Sequence, residues 1–279
     1  MADRPNFSVT FWGTRGSISC AGPDTVKYGG NTSCLEVLCG DRRLIFDGGS
    51  GLPMLGRHMV SQGSGFDAHL YLTHTHLDHI IGLPFFIPFH MPGVTLPVHA
   101  GHLKPMGMSL HKVLSDMMQA PLFPVPPEIF AADVSFNDYE GGETLHPFDD
   151  VVLETRPLNH PNGACGYRIE FDGRAICYIT DTEHFPDHQD ENVLHLVRDA
   201  DIMVYDATYT DEEYPKFVGF GHSTWQEACR IADTAGVKQV VLFHHDPSHN
   251  DTIMDGIAAA AEKIRPGTLV AQEGMTLIP

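Results

Sequence analysis

Four residues able to bind a metal ion fall within six positions, in His74-Thr75-His76-Leu77-Asp78-His79, directly after the apolar run Leu70-Tyr71-Leu72. A strand that ends in such a cluster presents it at the edge of a sheet. On an extended or tightly turning chain His74 and His76 project the same way, because side-chain direction repeats every second residue, so they can share one cation. Asp78 and His79 follow as the chain turns away and offer a carboxylate and an imidazole to a second cation nearby. The arrangement reads as dinuclear. A polar loop whose histidines cap a helix or satisfy core hydrogen bonds would account for a single histidine, but not for this cluster with its matches elsewhere. Histidine abundance alone proves nothing, since the chain has 18 and most need no special role.

The remaining ligands are sought where other strands stop. Ala175-Ile176-Cys177-Tyr178-Ile179-Thr180 ends at Asp181, Ile202-Met203-Val204-Tyr205 at Asp206, and Val240-Val241-Leu242-Phe243 at His244; Leu44-Ile45-Phe46 ends at Asp47. Near-continuous apolar runs of this length read as strands buried on both faces. Together with Leu70–Leu72, five interior strands deliver ionisable groups at their carboxyl ends, where layered α/β folds place their sites. His160, in Leu158-Asn159-His160-Pro161 after the strand Val151–Thr155, supplies the third ligand missing from the first metal. Asp181 suits a carboxylate bridging both ions, and His244 the last ligand of the second, with its neighbour His245 as the competitor. Asp47, before Gly48-Gly49-Ser50-Gly51, reads as a buried carboxylate beneath the site rather than a ligand; this turn lacks the phosphate-loop pattern GxxxxGK[ST].

Around these strands, Phe7–Trp12 reads as a strand, and Ser33–Cys39 with Arg43–Phe46 as a hairpin turning at Gly40-Asp41. Helices are expected from about Leu52, over Ile80–Pro84, within Leu103–Met118, and over Glu191–Arg198, Thr224–Ala235 after Ser223, and Thr252–Ile264 after Asp251. Strand and helix alternate without a linker, so one α/β domain spanning residues 1–279 is expected. The stretch at about 85–130, rich in Pro, Met, Phe and His, reads as a cover over one sheet edge or as a lid or dimer contact over the site.

Composition excludes several classes. No apolar run approaches the ~20 residues of a membrane span, and the start Met1-Ala2-Asp3-Arg4-Pro5-Asn6 has neither the basic region nor the apolar core of a signal peptide, so a cytoplasmic location is expected. The six cysteines are scattered without disulfide-like spacing. Net charge is −19, from 36 acidic against 17 basic side chains, with no Lys/Arg run. Such a surface repels a long polyanion, whose binding rests on clustered basic contacts, while a small anionic substrate held by metal ions stays compatible with it.

With HTHLDH from His74 to His79, His160 in NHP, Asp181 in ITDTEH and His244 in LFHHDP, the chain resembles the metallo-β-lactamase-fold hydrolases. The resemblance covers essentially the whole chain and implies an αβ/βα four-layer sandwich of two mixed sheets with outer helices and two metal ions at one edge. Gly221-His222-Ser223-Thr224 and Asp206-Ala207-Thr208-Tyr209 are similar to the ribonuclease Z and phosphodiesterase branch. That likeness implies that His222 stabilises a phosphoryl oxygen or protonates the leaving group with Asp206 behind it, and that Asp78 takes part in catalysis as well as ligation. The competing reading of His222 is a cap for the following helix. The likeness also implies a homodimer.

Departures narrow the activity. Ribonuclease Z proper has a tRNA-gripping arm between its third and fourth motifs, whereas His160 and Asp181 are only 21 positions apart. The extra cysteine-rich zinc site of the phosphonate-pathway cyclic phosphodiesterase has no counterpart around Cys20 to Cys39. Flavodiiron-type oxidoreductases carry a glutamate where His76 stands. The nitrogen and carboxylate ligands suit Zn²⁺, and also Mn²⁺ or Fe²⁺. Two such ions ~3.5–4 Å apart lower the pKa of a shared water and supply hydroxide. The expected activity is hydrolysis of a small phosphodiester, a cyclic nucleotide foremost, by attack of that hydroxide on phosphorus. The alternatives are a carboxyl ester, thioester or lactone hydrolase using the same hydroxide on carbon, and a non-catalytic scaffold or sensor that keeps the fold.

Overall fold

The computed structural model describes residues 7–63 and 66–279. The N-terminal stretch examined above for a signal peptide, residues 1–6, lies outside that range. Among the described residues the chain builds two seven-stranded sheets. The first comprises β1 (Phe7–Gly13), β2 (Cys34–Cys39), β3 (Arg42–Phe46), β4 (Ala68–Leu72), β5 (Val98–Ala100) and β6 (Phe136–Asp138) in sequential order, with the last strand, β14 (Thr276–Leu277), beside β1. The second runs β7 (Thr144–Phe148), β8 (Val151–Leu158), β9 (Ala164–Phe171), β10 (Arg174–Ile179), β11 (Ile202–Asp206), β12 (Gln239–Phe243), β13 (Leu269–Val270). Helices α1 (Leu52–Gln62) and α3 (Leu110–Met117) cover the first sheet, and α4 (Glu191–Val197), α5 (Trp225–Ala235) and α6 (Asp251–Ile264) cover the second. The short α2 (Leu77–Ile80) lies inside the histidine cluster.

Strand periodicity explains the layering. Along β12, Val240 and Leu242 face the helices of the outer layer, while Val241 and Phe243 join Phe11, Phe46 and Tyr178 between the sheets. Both faces are therefore buried, which is why the run is apolar without alternation. The outcome is four layers, helix on sheet on sheet on helix, as the sequence implies.

Direction fixes where the site falls. β3 and β4 are parallel, as are β10, β11 and β12, and β8 points the same way as β10 because each is antiparallel to β9. Their carboxyl ends converge on one edge. Three of the residues just past those ends, Asp47, Asp181 and His244, adopt left-handed backbone at φ 62°, 55° and 61°. Each strand is thereby halted as its last polar side chain turns into the site. Aspartate and histidine tolerate this region better than most residues.

Local expectations differ in three places. The helix expected within Leu103–Met118 is confined to α3, since Pro105 and the left-handed Gly107 interrupt the chain before Ser109, whose hydroxyl caps the helix at Lys112 N. The caps of α5 and α6 are Thr224 and Asn250, one position from Ser223 and Asp251. The helical turn expected over Ile80–Pro84 begins earlier, in α2, and so orients Asp78 and His79. Stretch 85–130 contributes β5 to the interior of the first sheet and Phe86, Phe89 and Leu114 to its outer core, so most of it is woven into the layer. No disulfide joins the six cysteines, and no helix among the described residues is long and apolar enough to cross a membrane.

At the β4/β5 edge, His69 Nδ1 lies 3.1 Å from His99 Nε2, and the His99 ring stacks on Tyr71 at 4.5 Å. Burial, with the neighbouring His69, brings His99 down to about 4, against ~6.5 for an unfolded histidine. A depressed folded value means that the stability is fully present above about 6.5 and is lost as pH falls through about 4. Urea unfolding should therefore show stability declining across this window, with a shallower slope in His99→Phe; an unchanged slope excludes the pair as a source.

Candidate metal centre

The end of β4 and the turn into α2 carry His74, His76, Asp78 and His79, and the ends of β8, β10 and β12 bring His160, Asp181 and His244 against them. Within 4.8 Å of one another lie ligand atoms of His74, His76 and His160, and likewise those of Asp78, His79 and His244. Asp181 stands between the groups. Its Oδ1 is 3.8 Å from His74 Nε2 and 3.7 Å from His160 Nε2; its Oδ2 is 3.2 Å from His79 Nε2 and 3.3 Å from His244 Nε2. One carboxylate thus offers one oxygen to each group, the geometry of a bridge. His76 meets His160 Nε2 with its Nδ1 at 3.1 Å.

The outer nitrogens of these rings are tied, and the ties determine which nitrogen is free. His79 Nδ1 donates to Asp47 Oδ2 at 2.9 Å. His74 Nδ1 lies 3.1 Å from the Thr73 hydroxyl, which donates onward to Asp47. His160 Nδ1 donates to the Gly221 carbonyl at 2.8 Å, and His244 Nδ1 donates to the Thr208 hydroxyl at 3.0 Å. A proton on Nδ1 leaves the Nε2 lone pair directed inward, the usual way that an outer partner fixes the tautomer of a metal-binding histidine. The inward nitrogens of His74, His79 and His244 are buried and have no hydrogen-bond partner. Buried polar atoms are rarely left so, and three converging on one bridging carboxylate fit metal ions. The donor set of imidazole and carboxylate fits as well. Asp47 itself makes no such approach; it accepts from Thr73 N at 2.8 Å and from Tyr178 Oη at 2.8 Å, in the supporting position expected of it.

Electrostatics divide the two groups. Burial lowers the pKa of His74, His76 and His160, keeping them neutral and able to donate lone pairs. Burial would raise Asp181 and Asp78, but the surrounding imidazoles outweigh it and hold both well below the usual carboxylate range. His79 runs the other way: burial is outweighed by Asp181, Asp78 and Asp47, the ring is raised, and a cation binding there displaces its proton.

His222 sits at the mouth, its Nδ1 3.0 Å from Asp206 Oδ2 and its ring stacked on His244 at 4.8 Å. It does not cap α5; the Thr224 hydroxyl does. Burial lowers the His222 pKa, but Asp206 overcomes this and pushes it up to about 9. Asp206 is fully buried and held by the backbone N–H groups of Thr208 and Ser223. His245, the competitor of His244, turns away into the core and bonds the Ala271 carbonyl at 2.9 Å.

Several contributors carried no signal in sequence. Thr73 and Thr208 are small hydroxyls whose roles depend on long-range partners. Glu183 accepts the N–H groups of Gly219 and Gly221 at 2.8 Å, shaping the loop that carries His222. Gly16 follows β1, and a Cβ there would lie 2.3 Å from the His244 ring; the next residue, Ser17, gives its N–H to Asp78 Oδ2 at 2.7 Å.

The family model described as beta-lactamase superfamily domain matches residues 42–245. Ribonuclease Z of Haloferax volcanii is 28% identical, over 96% of this chain and 94% of the relative. Among solved structures, human tRNase Z, short form, superposes with a TM-score of 0.66 at 20% identity over 98% of this chain and 99% of that one. Zn²⁺-bound PqqB from Methylobacterium extorquens superposes with a TM-score of 0.71 at 16% identity over 97% and 99%. The chain therefore belongs to the metallo-β-lactamase superfamily. Within it, this is a metal-dependent hydrolase of the phosphodiesterase type, homologous to ribonuclease Z.

Thr208→Val keeps shape but removes the partner of His244 Nδ1. It should weaken binding of one of two metal equivalents by about 10–100-fold, the usual effect of losing an outer-shell bond. Metal titration followed by elemental analysis reads this directly; equal loss of both equivalents, or of neither, contradicts the division into two groups.

Proposed function

We propose that the protein hydrolyses a small phosphodiester, a cyclic nucleotide foremost, at two metal ions. His74, His76 and His160 would hold one ion and Asp78, His79 and His244 the other, with Asp181 facing both groups. Zn²⁺ suits these ligands, with Mn²⁺ or Fe²⁺ as alternatives. When bound, such a pair supplies a hydroxide nucleophile near neutral pH and neutralises charge on the substrate oxygens. His222 donates a proton to the leaving oxygen, and Asp206 keeps that imidazole charged and aimed. Asp78, fixed by Ser17 N–H, serves the reaction by holding its end of the pair rigid.

The observation that carries this reading is the buried Asp206–His222 pair: His222 Nδ1 is 3.0 Å from Asp206 Oδ2 and 3.8 Å from Asp181 Oδ1, and its ligand atoms lie within 4.8 Å of those of His160 and His244, so the ring stands beside both groups with a carboxylate of its own. Hydrolysis at a carbonyl carbon has less need of a proton donor for so poor a leaving group. A scaffold is disfavoured because every ligand position is filled.

A small substrate is supported by what fills the interval between His160 and Asp181. It is occupied by the β9–β10 hairpin, turning at Asp172 and Gly173, with no room for an arm. The match to the Haloferax enzyme extends over 316 aligned positions, more than the 279 residues present here, so the relative carries segments that this chain lacks. The net charge of −19 also disfavours tRNA. Stretch 85–130 serves two ends in this reading: residues 103–113 flank the site, and exposed Phe85 and Leu122, with Leu77 of α2, offer apolar side chains to a second copy of the chain.

Metal-loaded protein is assayed on bis(p-nitrophenyl) phosphate, a cyclic-nucleotide panel and a p-nitrophenyl ester. His222→Ala should lower diester turnover by ~10²–10⁴-fold, the usual range for general acid help, with metal content unchanged. Ester turnover indifferent to His222, with inert diesters, overturns the reading. Asp181→Ala should instead lose the metal pair, seen as a stoichiometry well below two ions per chain.

A further inference from the structure

His160 and His222 have different tasks in the hydrolase reading, one as a ligand and one as the proton donor, yet their ring centroids are only 5.4 Å apart. They stand on separate loops, and one residue fastens those loops to each other. On one side, Glu183 is paired with the residue before His160: its N–H donates to the Asn159 carbonyl at 2.8 Å, and Asn159 Nδ2 donates to the Glu183 carbonyl at 2.8 Å. On the other, its carboxylate reaches the residue before His222. Both oxygens accept from Gly219 N at 2.8 Å, Oε2 accepts from Gly221 N at 2.8 Å, and the Tyr214 phenol donates to Oε1 at 3.1 Å. Gly221 closes the circuit, because its carbonyl accepts from His160 Nδ1 at 2.8 Å. No other residue fits there, since φ is 89° and a Cβ would lie 2.2 Å from His160 Nδ1.

We propose that Glu183 is a positioning residue that holds His160 and His222 against each other, so that ligation by one and proton delivery by the other depend on a single carboxylate. The proposal rests on the hydrolase reading for the task of His222, and it adds a residue that is neither a ligand nor a proton donor. Three features carry it. The chain of contacts passes through both histidines, from Asn159 to Glu183 to Gly221 and back to the His160 ring. Its central bonds run from N–H groups to a carboxylate, and such charge-assisted bonds are roughly twice as strong as neutral ones. The loop they hold has little else to define its course, because Gly219 and Gly221, at φ 91° and 89°, are free to adopt many other conformations. Asp206 does not replace this anchor. It bonds the His222 ring at 3.0 Å and sets its tilt, whereas Glu183 sets the backbone from which the ring projects.

The test compares metal-loaded wild type and Glu183→Gln on symmetrical diaryl phosphates whose leaving groups are p-nitrophenolate, phenolate and p-methoxyphenolate. In the amide an NH₂ group replaces one accepting oxygen, so a glycine N–H loses its partner while side-chain size is kept. A proton donor matters more as the leaving group becomes more basic. With KM little changed, kcat should therefore fall by about tenfold for p-nitrophenolate and by about a hundredfold for p-methoxyphenolate, the scale on which small misplacements act. In a His222→Ala background Glu183→Gln should add no further dependence on the leaving group, because the two residues act as one unit. A loss equal for all three leaving groups, or added dependence in the His222→Ala background, overturns the proposal. Tyr214→Phe takes only the phenol from the same carboxylate and should keep the wild-type dependence; a change as large as that of Glu183→Gln also overturns it.

Two measurements need no turnover. Glu183→Gln should weaken one of two metal equivalents by about tenfold, the low end for a lost outer-shell bond, and should weaken both when combined with Thr208→Val. The amides of Gly219 and Gly221 should exchange with deuterium faster than in the wild type. If the wild type turns over no diester, the hydrolase reading falls, while selective loss of one equivalent with faster exchange upholds the tie between the loops. Diester turnover in the wild type, with Glu183→Gln matching it in leaving-group dependence, metal affinity and exchange, leaves the hydrolase reading standing and overturns the role of Glu183.

Discussion

The Asp47 carboxylate is the constraint on which the site depends. It is completely buried, and its two oxygens accept from Thr73 N, the Thr73 hydroxyl, His79 Nδ1 and the Tyr178 phenol. Thr73 and His79 come from the first sheet and Tyr178 from the second, so a single side chain joins the sheets and sets the orientation of two imidazoles. A charge placed this deep is tolerable only with its partners in place, and removing one partner of a buried ionic pair typically destabilises by about 3–5 kcal/mol. The bonds that align the histidines therefore also seal the interface beneath them.

From that hub outward the site is built by direction rather than by local sequence. β3 with β4, and β8 with β10, β11 and β12, bring their carboxyl ends to one edge; four of the clustered residues follow β4 and one follows each of the others. Loops then refine the positions. The turn after β1 presses Gly16 against His244, and Glu183, two residues past Asp181, gathers the N–H groups of the loop that presents His222. Asp181 and His222 are thus coupled through one short strand end and its neighbouring loop, residues 181–183 and 221–222.

Sequence made the inner ring of residues legible because each stands where an apolar run stops. Asp181, Asp206 and His244 follow runs too apolar to be anything but buried strands, and a polar residue ending such a run has few other reasons to be there. The strands that escaped notice have weaker patterns: β9 mixes Gly166, Arg168 and Glu170 with apolar residues, β7 contains Pro147, and β5 and β14 are only three and two residues long. Tertiary pairing, not propensity, makes these strands. Caps were misplaced by one position where two residues with capping side chains stand together, as in Ser223-Thr224 and Asn250-Asp251, because backbone geometry selects between them. The hydroxyls of Thr73 and Thr208 were illegible for a different reason. Their partners are set by the fold alone.

The left-handed backbone at Asp47, Asp181 and His244 sets activity against stability. For residues with a Cβ this conformation is unfavourable by about 1 kcal/mol or more each, and these three also bring together buried polar groups that in the metal-free chain only partly satisfy one another. Glycine at any of the three would relax the strand end. The three strand ends are therefore less stable than glycine would make them, and that difference is the cost of delivering these side chains to one edge.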